Sequence, residues 1–333
     1  MKMNNLTANA YAHEQVQRLS SPSLRSLRRL LRTQTLFNTV FFVIGSVEIA
    51  LFISFFALLS KSTVLAFSLA LLFLTLFSYF VLRLYLQAKK PDQLVHLCEE
   101  YLNRCREKMG YQEGVPEHHI ALANAAQKFA SSLDEMEYTI YTPPFFLKSL
   151  APTLEKFSCF SHWSDFHHLR EILLNTSVEE HVKVVKCEPT NLEVHAALAN
   201  AYVMLSTLYS DPRTLDCDKW IHPDRFSEAM KARFREIANL AIEEFKILNT
   251  YAPNDPWVHI QLAYSYHDLQ MPEEEIQEYE KVLRLRPNDR DTLFKLGTLY
   301  FRHGQNAKGL RIYETLRQMN YSKAETLINF YGN

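Results

Sequence analysis

Two kinds of hydrophobic patterning divide the chain. Between Leu36 and Leu82 apolar residues run almost without interruption, and the only charges are Glu48 and Lys61. At about 1.5 Å of rise per residue this stretch makes about 70 Å of helix, enough to cross a hydrocarbon core of about 30 Å twice. The polar break Ser60-Lys61-Ser62-Thr63 falls at its centre. The pattern predicts a helical hairpin, with one span over about Leu36–Leu59, a tight turn, and a second span over about Val64–Leu84. Upstream, Leu24, Leu27, Leu30 and Leu31 share one helical face and Arg25, Arg28, Arg29 and Arg32 the other. That reads as a short amphipathic helix on a membrane surface, or as an extension of the first span whose arginines fix its topology. Residues 1–23 read as polar and loose. A cleaved signal peptide fits poorly, because the apolar run is too long and a second span follows at once.

Beyond Pro91, read as the end of the membrane segment, apolar positions return at helical spacing: Leu94, Leu97, Cys98, Tyr101 and Leu102 fall on one face. An internal echo follows. HIALANAA begins at His119, HAALANAY at His195 and HIQLAYSY at His259. First helices of repeating units are therefore expected near Pro116, Leu192 and Pro256. Three histidines at one repeat position suggest packing between neighbouring units and not ligation. Leu198 to Leu262 is 64 residues, one repeat plus an insertion placed between about Ser206 and Phe226. Leu122 to Leu198 is 76 residues, room for a degenerate helix pair over Ser161–Asn175 and Ser177–Cys187, closed by Pro189. Thr142-Pro143-Pro144 breaks the chain between these regions, and Lys323–Tyr331 reads as a helix capping the open end.

The register is clearest over Pro256–Ser322, two consecutive 34-residue helix–turn–helix units. Counting from Pro256, Leu262, Ala263, Tyr266, Tyr279, Val282 and Pro287 fall at positions seven, eight, eleven, twenty-four, twenty-seven and thirty-two. Counting from Arg290, Leu296, Gly297, Tyr300, Gly309, Tyr313 and Leu316 fall at seven, eight, eleven, twenty, twenty-four and twenty-seven. This resembles the tetratricopeptide repeat, with degenerate copies over about 116–253. Gln270 departs from the pattern where a turn glycine is usual, Glu275 where a small residue is expected, and Tyr321 where the closing proline would stand. The resemblance implies an α-solenoid of stacked helix pairs, since one pair cannot bury its apolar face alone; with the two-span transmembrane hairpin read from the apolar run, the expected fold is all-α. The expected divisions are 1–35 as a polar arm with the basic helix, 36–86 as the hairpin and 91–333 as the repeat domain.

Charge changes the picture of the two ends. Residues 1–90 carry ten Lys or Arg against Glu14 and Glu48, a balance of +8, which leaves −9 on the remainder. The repeat domain therefore lacks the net basic field that nucleic acid binding requires. The basic residues flank the hairpin at both ends, so both termini are expected on the cytoplasmic side of an integral membrane. Seven glycines in 333 residues fit a nearly all-helical chain and leave no glycine-rich phosphate loop. The five cysteines, Cys98, Cys105, Cys159, Cys187 and Cys217, are scattered and odd in number, and read as reduced thiols. Asn-x-Ser/Thr matches at Asn5, Asn175 and Asn320 fall on the wrong side for glycosylation. A carboxylate at mid-span costs about 2.5–3.5 kcal/mol, so Glu48 needs a proton or a partner. Folding the hairpin at its turn puts Thr75 at the same depth, and a bond across an oligomer interface is the alternative.

The resemblance places a partner site in the groove lined by the first helix of each unit. Its residues here are Trp257, Ile260, Tyr264 and His267, then Phe294 and Phe301, with Asn200 and Asn124 from earlier units. The carboxylate clamp of chaperone-binding relatives is not carried over, because Ile120 and Ala196 stand where lysines are needed. The aromatic lining suits an apolar or amphipathic protein segment. Two other groupings, Asp216/Cys217/Asp218/His222/Asp224 and Cys159/His162/Asp165/His167/His168, match no metal spacing, and no Ser/His/Asp set has recognisable context. The expected function is a non-catalytic membrane-anchored adaptor without cofactor, metal or catalytic residue. Its partners would be a protein or peptide and the lipid bilayer, with an oligomer formed through the hairpin as a further expectation. The alternatives are a secreted effector resembling the inclusion-membrane proteins of intracellular bacteria, whose hydrophobic segment is bilobed, and a metal-dependent enzyme on a repeat scaffold.

Overall fold

The computed structural model describes residues 2–59, 63–141, 149–211 and 220–332. The centre of the expected hairpin turn, the Thr142-Pro143-Pro144 break, and Asp216, Cys217 and Asp218 of the insertion lie outside them. The described residues are helical without strands. They divide into two compact units: residues 1–113 with 124–173, and residues 114–123 with 174–333.

The first unit is organised by two long antiparallel helices, α1 (Lys2–Leu59) and α2 (Thr63–Met109). Each is long and apolar enough to cross a membrane, and none of the most apolar window of either is buried. A core helix of a soluble protein would show the opposite. The expected register is present: Thr75 Oγ1 donates to Glu48 Oε1 at 2.9 Å, which gives the carboxyl a partner on the other helix. Tyr79 stacks on Phe37 at 5.8 Å and meets Phe41 at 5.6 Å.

Three expectations for this region are corrected. Residues 2–23 are not loose but belong to α1, which continues through Pro22. Proline has no N–H for the carbonyl of Arg18, and the Ser21 hydroxyl donates to that carbonyl instead at 3.0 Å. The leucine face of the basic segment does not lie open for a membrane surface: Leu27 and Leu31 are fully buried. α1 runs on here beside α2, with Arg104 donating to the Ser23 hydroxyl and Leu30 and Leu97 lining one cleft. Nor does Pro91 end its helix; α2 passes through it, because Leu94, Leu97, Cys98, Tyr101 and Cys105 on the following turns are buried in the same core.

Two further helices, α3 (Pro116–Ser132) and α4 (Ala151–Cys187), divide their residues between the units. Within the first unit, Tyr101 packs on Phe129 at 4.4 Å and its hydroxyl donates to the Ala125 carbonyl at 2.9 Å. The expected turn between Asn175 and Ser177 is absent, and α4 is a single helix of 37 residues. It contains no glycine, and its only proline is in the first turn, so nothing interrupts it.

The second unit stacks helix pairs. α5 (Leu192–Thr207) pairs with α6 (Glu228–Tyr251), α7 (Pro256–Asp268) with α8 (Pro272–Leu285), and α9 (Arg290–Arg302) with α10 (Asn306–Gln318). Side-chain caps start four of these: Asn191, Ser227, Asp255 and Asp289 each accept from a backbone N–H of the first turn. The extra residues of the insertion separate α5 from α6. At the end, α11 (Ala324–Leu327) and a 3-10 turn over Ile328–Phe330 bury Ala324 and Leu327 in the core with Leu296, Leu299 and Leu316.

The closest approaches fall at repeat positions eight and twenty. A Cβ on Gly297 would come within 2.8 Å of Leu327, and one on Gly309 within 2.6 Å of the Phe301 ring. Gln270 occupies the α7–α8 turn with φ +58°, where the next unit has Gly304 at φ +70°. An L side chain is disfavoured in that conformation. Gly309→Ala should therefore lower stability by about 1–3 kcal/mol through overpacking against a rigid ring, and Gln270→Gly should raise it by about 0.5–1 kcal/mol. Denaturant unfolding of the two variants should move the midpoint in opposite directions.

Candidate partner-binding face

The first helices of the second unit leave several side chains open to solvent. On α7, Trp257 is 38% and Tyr264 41% exposed, with Ile260 half-buried between them. Three apolar side chains on one helix face make a contiguous patch, which carries more meaning than a single exposed ring. Both are held in place: Trp257 meets Phe245 edge to face at 6.0 Å, and Lys295 of α9 donates to the Tyr264 hydroxyl at 2.7 Å with its ammonium over the ring. Phe294 is half-buried beside Tyr321 at 6.2 Å, and the Tyr321 hydroxyl donates to Asp291 at 2.8 Å. Asn200 is exposed on α5. Asn124 is exposed as well but falls in the first unit, so it is described apart from this face.

Phe301 is not on an open face. It is 1% exposed and fills the space above Gly309, with Tyr331 edge-on at 5.7 Å. The reason is visible in the preceding unit, 34 residues earlier. There the same two positions are His267 and Glu275, and His267 Nδ1 meets Glu275 Oε2 at 3.1 Å. Position twelve thus points toward position twenty of its own pair. A large residue at one demands a small one at the other, or two polar residues that bond each other. Burial pushes the Glu275 carboxyl above the usual range, against the opposing pull of His267.

The echoed histidines form a second recurring arrangement, and it lies chiefly inside each unit. His259 Nδ1 meets Glu278 at 2.6 Å, His195 Nδ1 meets Glu244 at 2.6 Å, and His119 Nδ1 meets Glu180 at 2.5 Å. The second ring nitrogen reaches the preceding turn: His259 Nε2 to the Pro253 carbonyl at 2.9 Å, and His195 Nε2 to the Pro189 carbonyl at 3.0 Å. His119 Nε2 instead accepts from the Gly114 N–H at 3.3 Å. One ring therefore joins both helices of its unit to the turn before it, and only that last contact matches the expected packing between units. In the last pair the equivalent positions are Leu293 and Ile312, both buried in one apolar cluster.

Asp216, Cys217 and Asp218 of one candidate metal grouping lie outside the described residues, and members of the other have partners of their own. His162 contacts Asp165 and Tyr141, Asp165 is ion-paired with Lys90, and His167 stacks on Trp163 at 4.6 Å. Burial, partly offset by Glu171, takes His167 down to about 4. Among the described residues no three His, Cys, Asp or Glu side chains converge on one point. Burial, with Glu99 adding to it, pushes the Cys98 thiol up to about 12, away from nucleophilic or ligating use at neutral pH.

No protein-family model matches the chain, and no curated protein matches it. Solved helical-repeat structures do. A double mutant of MamA is similar at 13% identity and a TM-score of 0.33, over 70% of this chain and 96% of that one. YrrB, a TPR protein with an unusual peptide-binding site, is similar at 15% identity and a TM-score of 0.33, over 67% and 94%. The TPR domain of P58(IPK) is similar at 13% identity and a TM-score of 0.24, over 95% and 96%. The stacked helix pairs, their 34-residue spacing and the glycine crossings described above are tetratricopeptide-like in their own right.

His195 supplies a pH test. Burial opposes its charge, but the Glu244 hydrogen bond, the Pro189 carbonyl and the charge of Glu244 prevail and raise its pKa. Its stabilising contribution is full below the unfolded value of about 6.5 and is lost as pH rises through the folded value. Wild-type thermal stability relative to His195→Gln should therefore shrink as pH rises from about 6 toward 8. A constant difference across that range would remove the charged pair.

Proposed function

We propose that this chain is a membrane-anchored helical-repeat adaptor that docks a protein or peptide partner and catalyses no reaction. The exposed aromatic strip Trp257–Ile260–Tyr264 carries the reading, with Phe294, His267 and Asn200 at its margins. Its rings are fixed by neighbours on one side and open on the other, which reduces the entropy lost when a partner covers them. The apolar face of an amphipathic helix or an extended segment suits such a strip. The anchor would be the apolar portions of α1 and α2, spanning about 36–86. Its support is two helices whose most apolar windows are unburied, joined by a polar bond at matching depth. Basic residues at both hairpin ends favour a two-pass topology with the repeats of 91–333 on the cytoplasmic side.

The test compares the wild-type chain with Trp257→Ala/Tyr264→Ala in affinity capture from native membranes. The variant should keep its far-UV circular dichroism and lose most of the partner that wild type retains. Equal recovery by both would remove this face as the docking site. In the same membranes the wild-type chain should stay in the pellet through alkaline carbonate, and its release would remove the anchor.

A further inference from the structure

Inside the first unit, a cavity of about 790 Å³ runs along the hairpin on the side of Tyr141 and the start of α4. On α1 it is lined from Gln34 to Ile49 and on α2 from Thr75 to Lys90, so it follows each helix for about 22 Å. The size lies within the range of small-molecule sites, about 300–1,000 Å³. Its lining changes character along its length. Toward Ile49 and Leu76 it is mainly apolar, with Phe41, Phe42 and Gly45 on the α1 side beside Ser46 and Thr75, and Phe37 lies further along, stacked on Tyr79. Toward Lys90 it gains Asn38, Arg83, Gln87 and His162.

The charge of the polar end is one-sided. Among the described residues no carboxylate lines the cavity. Lys90 is already ion-paired with Asp165. Arg83 is not satisfied in this way. Its Nη1 donates to the Tyr79 hydroxyl at 2.8 Å, and that hydroxyl donates to Asn38 at 3.3 Å. Among the described residues Arg83 has no carboxylate partner, so its remaining donors are available to an anion. The roof is fixed: the Tyr141 hydroxyl bonds Thr35 at 3.0 Å and His162 Nε2 at 2.9 Å. An apolar channel ending at a cation that lacks a counter-charge matches an amphiphile with an anionic head and a hydrocarbon tail.

We propose that this cavity binds one anionic phospholipid of the membrane the hairpin crosses. The headgroup phosphate sits at Arg83, and an acyl chain lies along Phe37, Phe41, Gly45 and Leu76. The membrane source rests on the anchoring proposed above, whereas the binding itself is read in detergent solution, where anchoring has no bearing on the outcome. Arg83 gives charge-assisted hydrogen bonds to the phosphate. Gly45 leaves the inner channel open, since a Cβ there would meet nothing within 4 Å.

The experiment is native mass spectrometry of the full chain in mild detergent, titrated with phosphatidylglycerol, phosphatidylcholine or inorganic phosphate. Wild type should retain one phosphatidylglycerol per chain in preference to phosphatidylcholine, and inorganic phosphate in excess should not displace it. Arg83→Gln should weaken phosphatidylglycerol binding about tenfold or more. Gly45→Leu, helical and unstrained, fills the channel and should weaken both lipids. Lys89→Gln, outside the cavity, should bind as wild type. Equal retention of the two lipids, wild-type binding by Arg83→Gln or by Gly45→Leu, or displacement by phosphate alone would each overturn the assignment. Far-UV circular dichroism checks that each variant is folded, and either of the two cavity variants alone keeps the test decisive.

Discussion

The close contact between the two helices of each repeat is the constraint on which the stacked-pair architecture depends. Where helices cross this tightly, a side chain on one dictates what its opposite can be. Two such couplings recur. Position twelve with position twenty is His267 with Glu275 in one unit and Phe301 with Gly309 in the next. Position four with position twenty-three is His259 with Glu278, then Leu293 with Ile312. Polar pairs in the earlier units give way to apolar ones in the last, and each solution satisfies its own pair completely. Half of either would be costly, since an unpaired buried carboxylate beside an apolar residue has no compensation.

This explains why the polar pairs are no sign of chemistry. A histidine touching a glutamate at 2.6 Å in a buried place has the outline of a catalytic dyad. Here both ring nitrogens of His195 and His259 are engaged by the fold, one by glutamate and one by a proline carbonyl, and neither is left for a substrate. The outward strip of α7, proposed above as the docking face, takes no part in these pairs.

Much of the architecture was legible because spacing is a direct imprint of stacking. The 34-residue register located α7 to α10, and counting back from the polar break set Glu48 level with Thr75. What was missed has local causes. A turn at Asn175–Ser177 was inferred from length alone, although no glycine or proline was there to make it. Pro91 was read as the end of the membrane segment with a new helix after it, but α2 runs through it because the buried face beyond it offsets the lost hydrogen bond. The link between His195 and Glu244 was hidden by the inserted residues, which stretch a 19-residue separation to 49. Phe301 was read as groove lining although Gly309, its complement, stood in plain view. The hairpin cavity had no sequence signature, since its lining comes from segments as far apart as Gln34 and His162.

The unbroken course of α1 and α2 has a mechanical corollary. The rods that enter the apolar stretch are also the rods whose outer turns hold Leu27, Leu31, Leu94 and Leu97 in the core of the first unit. Both helices are continuous across the two among the described residues, so a pull or a tilt imposed on the apolar half travels along hydrogen-bonded helix into the half that holds those leucines. A chain severed at Pro91 would lose half of one rod and all of the other, leaving the partners of those leucines bare to solvent.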